Sequence, residues 1–270
     1  MKHGEISAVI NKRFKKIEGQ FHKTASRFEM ESIHELRTEV KKLRAFLRLL
    51  NVEIDNKSSF KISKKMKTLY GYAGTIRNLQ LQLKSMDHYA GNLQSTALEG
   101  YKDYLKKIID KWEASFIEFT KQENIFHHDK KKIERNLPRK FRKAALKQFL
   151  QIKIKELGNL IKALPDDDVL HRIRKLLKDI TYNWPFLKGA VKLPPLAFSK
   201  KEKIKSFTDL IGLFMDKSVG IILLETYCRD CEENGLFIEE EIQEFQVIER
   251  ECKNQKAALA QIIYLNPGLL

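Results

Sequence analysis

Glycine and proline are scarce, at 12 and 6 in 270 residues. Sheets spend both residues on turns, so the shortage argues against them and makes an all-α fold the expectation. Cysteine is scarcer still. Cys228, Cys231 and Cys252 are an odd set that cannot supply a disulfide framework. Cys228 and Cys231 have redox or zinc spacing, but no second ligand pair lies at a usual distance, so thiols on a core-facing helix are the reading. No stretch approaches the roughly 18 apolar residues of a membrane span. The start, MKHGEISAVINKRF, has no signal-peptide apolar run. The expectation is a reduced, cytoplasmic protein with no membrane span.

Positive charge is what the chain has in excess. Lys and Arg number 51 against 35 Asp and Glu, a net charge of +16 and a pI near 9.6. An excess of that size points to a polyanionic partner: nucleic acid, polyphosphate or an anionic membrane surface. The length suits one large domain or two small ones.

The cations are also aligned. In Ile33 to Leu50, the residues Ile33, Leu36, Val40, Leu43, Leu47 and Leu50 fall three and four apart and form an apolar helical stripe. His34, Arg37, Lys41, Arg44 and Arg48 repeat the spacing one position later, a second stripe beside the first. The pattern returns in Leu170 to Leu187.

The rest of the chain reads as further helices. One spans residues 5–28, with Ile10, Phe14, Ile17, Phe21 and Phe28 as core. The second starts near Ser32 as N-cap, and a loop occupies 51–59. A third helix runs over 63–88 and carries Gly71 and Gly74, which predict close approach of another helix, because mid-helix glycine costs about 1 kcal/mol. A fourth covers 95–126. The adjacent His127 and His128 read as a solvated junction rather than a metal site. Residues 130–147 hold nine Lys or Arg and a single acid, with a break at Pro138. Helices are expected over 139–164, from Asp166–Asp168 to near Pro185, over 200–234 with Gly235 just past its end, and over 239–264. A linker covers Gly189 to Pro195. The last helix is acidic, and either docks on the basic body or keeps an outer face free of polyanion.

A shift of 137 residues superposes the two central helices. Ile33, Leu36, Val40, Leu43, Leu47 and Leu50 land on Leu170, Ile173, Leu177, Ile180, Trp184 and Leu187, and His34, Arg37 and Lys41 land on His171, Arg174 and Lys178. With a one-residue slip, Gly74 and Asn78 land on Gly212 and Asp216. The expectation is an internally duplicated single domain over 1–270. Its two four-helix bundles, 1–129 and 130–270, would be related by a pseudo-twofold axis around a basic central cavity.

The pattern formed by His34, Arg37, Lys41, Lys42, Arg44 and Arg48, the Gly-x-x-Arg element at Gly74 to Asn78, and the degenerate second copy resemble the CHAD family, the conserved histidine α-helical domain. The resemblance implies two helical bundles around a basic pore and binding of long-chain inorganic polyphosphate, with association to polyphosphate granules. Asn78 stands where the family usually has Asp. Thr181 and Pro185 replace the counterparts of Arg44 and Arg48, while Lys175 and Lys178 remain and Tyr182 matches a common aromatic. The first copy should therefore carry more of the binding. A triphosphatase domain of the CYTH type, fused in some members, has no counterpart of its Glu-x-Glu-x-Lys motif here.

The expected binding set is His34, Arg37, Lys41, Lys42, Arg44, Arg48, Arg77, His171, Arg174, Lys175 and Lys178, with no catalytic residue, metal or cofactor. Nucleic acid is the alternative partner, supported by charge alone, since no recognition helix or stacking row is visible. A phosphate-transferring enzyme needs carboxylates clustered by the phosphates, and Asp216 is the best of a poor field.

Overall fold

The computed structural model describes residues 1–53, 60–90, 96–121, 125–161, 166–188, 201–236 and 239–264. The expected linker from Gly189 to Pro195 and residues 54–59 of the expected loop lie outside them. The described residues form helices and no strand: α1 (His3–Arg27), α2 (Met30–Leu50), α3 (Lys64–Ala90), α4 (Thr96–Thr120), α5 (Ile125–Arg135), α6 (Lys143–Ile161), α7 (Asp167–Leu187), α8 (Lys201–Glu233) and α9 (Glu239–Tyr264). No helix among them is long and apolar enough to cross a membrane.

Several helix boundaries differ from expectation, and α6 begins at Lys143 instead of residue 139. The fourth helix stops at Thr120, and a separate α5 carries His127, His128 and Asp129. The Asp129 carboxylate is buried there and accepts from the Ser63 backbone N–H at 2.8 Å, while Ser63 Oγ caps Met66 N at 3.1 Å, so α5 and the start of α3 are pinned together. Ser32 is not the N-cap of α2. That helix begins earlier, at Met30 after Glu29, because Phe28 turns the chain sharply in the left-handed conformation (φ 49°). Gln80 of α3 holds the turn through a 2.8 Å bond to the Phe28 carbonyl. Asp166 caps α7 as a helix-start acid should, accepting from Val169 N at 2.6 Å.

The apolar stripe of α2 is buried along its whole length, from Ile33 through Leu50. In α7 Leu170, Ile173, Leu177, Ile180 and Leu187 are buried likewise. Two apolar cores result. The larger joins α1, α2, α5, α6 and α7 to the N-terminal halves of α3 and α8, with Phe116 of α4 and Ile263 of α9 reaching into it. The smaller joins the C-terminal halves of α3 and α8 to α4 and α9, and takes in Cys231 and Cys252. The long helices α3 and α8 thus run through both cores and pack on each other. The acidic α9 docks on α8 and α4, with Lys253 tying it to Glu225 at 3.0 Å.

What matters for the site is that α2 packs on α1, α3 and α7 at once. Phe46 meets Phe186 with ring centroids 5.1 Å apart. The buried Asn183 donates to the Ala45 carbonyl at 3.0 Å. These contacts fix how α2 is rotated against α7, and so where its cationic stripe points.

Candidate polyanion-binding site

Beside the α2–α7 contact lies a cavity of about 360 Å³. Arg37, Lys41, Arg44 and Arg48 reach it from α2, and His171, Arg174, Lys175 and Lys178 from α7. Tyr70, Tyr182 and Asp179 complete the wall. Along α2 the four cations rise about 4.5–6 Å per step, as residues three and four apart in a helix must.

The arginines are held before any ligand arrives. Arg37 Nη1 donates to the Tyr70 backbone carbonyl at 3.0 Å, and its guanidinium lies 4.5 Å from the centroid of the Tyr70 ring. Arg44 stands over the same ring at 5.5 Å. Across the cavity Arg174 Nε donates to the Thr208 carbonyl at 3.2 Å. Lys178 pairs with Asp209 at 3.0 Å near the rim. So dense a cluster has an electrostatic cost. Burial, then the charges of Arg37, Arg174 and Lys178, pull the Lys41 pKa down to about 7. Burial pushes the Asp216 carboxyl upward against the pull of Arg174, Arg77, Lys41 and Arg37.

A comparison with family profiles matches residues 8–225 to the CHAD domain. The chain belongs to the CHAD domain family. The crystal structure of the CHAD domain from the plant Ricinus communis aligns with 100% of this chain and 91% of its own, at TM-score 0.74 and 16% identity. PptA from Streptomyces chartreusis aligns with 98% of both chains, at TM-score 0.71 and 12% identity. No protein with a curated description matches the sequence. At these identities the solved structures show a shared fold. The family match ends at residue 225, so α9 lies beyond it.

Of the eleven cations and histidines expected at the site, this CHAD domain brings eight to the cavity wall and leaves His34, Lys42 and Arg77 off it. Lys42 turns the other way. It pairs at 2.6 Å with Glu39, which is 2% exposed and also takes Arg13 at 2.8 Å. Helix geometry already separates it: at 100° per residue, Lys42 stands about 140° around the helix from Arg37. His34 lies one turn before Arg37, near Arg77. Partial burial, then Arg77, lowers its pKa from the usual histidine value. Arg77 has a buried Nη1 with no hydrogen-bond partner, and feels Asp216, Glu31 and Arg37. Arg48 does line the cavity, but Nε and Nη2 of its guanidinium are engaged by Asp179.

Sequence reasoning passed over three of the wall residues as contacts. Tyr70 comes from α3, and nothing in its local pattern signals that two arginines will stack on it. Asp179 directly follows Lys178, and nothing in its local pattern marks it for burial, yet it is 1% exposed and shared by Arg48 and Lys153. Tyr182 is buried enough to raise its pKa to about 12. The glycines also need correcting. Gly71 faces open space. At Gly74 it is the Arg37 side chain, not a helix backbone, that comes close: a Cβ would stand 2.1 Å from Nη1. No cluster of three His, Cys, Asp or Glu with metal-site geometry occurs among the described residues.

Proposed function

We propose that this CHAD domain is a non-catalytic binder of inorganic polyphosphate, held in the cavity between α2 and α7, and that this binding associates it with polyphosphate granules. The observation that carries the proposal is the convergence of Arg37, Lys41, Arg44, Arg174, Lys175 and Lys178 from two helices onto one cavity wall. A flexible chain with about one charge per phosphate can run between the two rows. Arginine meets it with forked hydrogen bonds and lysine with point charges. Release of condensed counterions adds to the affinity, as for nucleic acids.

The carboxylates beside the cations favour binding over turnover. Metal-assisted phosphoryl transfer draws on acids clustered at the phosphates. Here Asp179 is closed off by Arg48 and Lys153, and Asp209 is paired with Lys178, which leaves Asp216. Two anchored rows facing a narrow cavity suit a single flexible polyanion better than a duplex.

The test is a titration with polyphosphate of defined lengths at two salt concentrations, with duplex DNA as competitor. Tight binding that weakens with salt and strengthens with chain length is expected. Replacing Arg37, Arg44 and Arg174 together by Glu should abolish it. A folded triple variant that binds unchanged, or DNA displacing polyphosphate at equal phosphate concentration, sinks the proposal. Magnesium-dependent release of phosphate by the pure protein would overturn the non-catalytic part.

A further inference from the structure

Two glycines share a geometry that polyanion binding alone does not account for. Side chains on an α-helix tilt toward its N-terminus, so the side chain of one residue covers the carbonyl four residues before it. Gly74 follows Tyr70 by four in α3, and Gly212 follows Thr208 by four in α8. Each of those carbonyls takes a hydrogen bond from an arginine on the facing helix: Tyr70 from Arg37 at 3.0 Å, and Thr208 from Arg174 at 3.2 Å. A helical carbonyl has a second lone pair for such a bond. A side chain at the covering position would close the approach. A Cβ at Gly74 would stand 2.1 Å from Arg37 Nη1, and one at Gly212 would stand 3.0 Å from Arg174 Nη2.

We infer that Gly74 and Gly212 are positioning residues for the polyanion site, each holding open a socket in which a helix carbonyl fixes the guanidinium of Arg37 or Arg174 at the cavity wall. This rests on the polyphosphate reading for the identity of the ligand. The socket solves a physical problem. Arg37 and Arg174 are close enough to repel each other. Left free, each would swing toward solvent and would have to be ordered again on binding, at a cost in rotamer entropy. A carbonyl takes one N–H of the five on each guanidinium and leaves the others for phosphate oxygens. Mid-helix glycine is a poor choice for helix stability, and at these two positions the emptiness is filled by the arginine.

The test is a double-mutant cycle on the full chain, with affinity for long-chain polyphosphate and ligand-free thermal melts as readouts. Gly74→Ala should weaken binding about tenfold or more, by displacing a preorganised charge-assisted contact. Gly212→Ala should weaken it less, because its contact is looser. Gly71→Ala, on the same helix over open space, should stay within about twofold of wild type. In the Arg37→Ala background, adding Gly74→Ala should cost less than about twofold further, because nothing is left to displace.

An equal loss with and without Arg37, or no loss in a folded Gly74→Ala protein, overturns the inference. Should Gly74→Ala fail to fold, the Arg37→Ala/Gly74→Ala double variant should recover, and its failure as well would mean that helix packing requires the glycine. If wild-type protein did not bind polyphosphate, the functional reading would fall. The socket would still be read from the melts, where Gly74→Ala should destabilise the protein with Arg37 present and stabilise it in the Arg37→Ala background.

Discussion

Arg48 reaches from α2 to α7 and grips Asp179 with two nitrogens, Nε lying 2.8 Å from Oδ2 and Nη2 bonding to Oδ1. Lys153 of α6 reaches the same carboxylate at 3.1 Å. Three helices therefore meet on a single buried acid. Stripping the partners from a buried ion costs about 3–5 kcal/mol, far more than the pair is worth at the surface. Arg48→Ala leaves Lys153 in place, so a loss of about 2 kcal/mol is expected, seen as a lower urea midpoint. Polyphosphate affinity should fall no more than about threefold, since this guanidinium is already committed. A loss matching that of Arg44→Ala would mean that Arg48 leaves Asp179 to take the ligand.

Lys41 makes binding proton-linked. Its pKa near 7 is set by burial and by Arg37, Arg174 and Lys178. A bound polyanion offsets those cations and raises the pKa, so binding takes up a proton above pH 7. Affinity should fall about tenfold between pH 7 and 8.5, and calorimetry in buffers of different ionisation enthalpy should register the uptake. The sign for folding is the opposite of a favourable ion pair. Unfolded Lys41 titrates near 10.5, so between pH 7 and 10.5 the unfolded chain holds more protons and stability rises with pH. The penalty is complete below pH 7. Lys41→Met should therefore raise the melting temperature at pH 7 by about 2–4 °C while weakening binding and flattening its pH profile. A melting temperature below wild type would show that the lysine carries no such penalty.

The α2 and α7 stripes were legible because helical periodicity encodes which residues share a face, and the apolar face fixes where the other must point. What lies on α3 was only half legible. Gly74 announced a close approach, but that the Arg37 side chain makes it, and that Tyr70 receives two arginines, depends on the crossing of α3 with α2, which no local pattern specifies. Lys42 shows a different failure. The motif pattern included it, whereas the turn angle that aligns Arg37, Lys41, Arg44 and Arg48 excludes it. Glu39 and Asp179 look like ordinary solvated acids in sequence. Their burial follows from the cations of other helices, Arg13 of α1 and Lys153 of α6, arriving beside them.

Lys42 should accordingly matter for folding and not for binding. Burial pushes the Glu39 carboxyl upward, but the hydrogen bonds from Lys42 and Arg13 outweigh it and hold the pKa below the usual carboxylate value. A carboxylate depressed in this way stabilises the fold above its unfolded pKa, and the contribution is lost as pH falls through the folded value. Lys42→Met should leave polyphosphate affinity within about twofold and cost about 1–2 kcal/mol at pH 7. The difference from wild type should fade under strong acid, where Glu39 is neutral in both proteins. Thermal melts from pH 7 down to 3 read this directly, and a penalty that persists unchanged at low pH would assign it to lost packing of the lysine stem.

Tyr70 separates a ring contact from a hydroxyl contact. Arg37 and Arg44 lie 4.5 and 5.5 Å from its ring centroid, and the hydrogen bond from Arg37 goes to the Tyr70 main chain. Tyr70→Phe keeps the ring and the carbonyl, so it should bind polyphosphate as wild type does. Tyr70→Ala keeps only the carbonyl. Cation–π contacts are worth about 0.5–1 kcal/mol each at accessible sites, and losing two should weaken binding roughly 5- to 30-fold. The defect should be smaller when Arg44 is already Ala, because one of the two contacts is gone. If Tyr70→Phe were as weak as Tyr70→Ala, the hydroxyl would be touching the ligand, and Tyr70 would be a binding residue rather than the platform that aims two arginines at it.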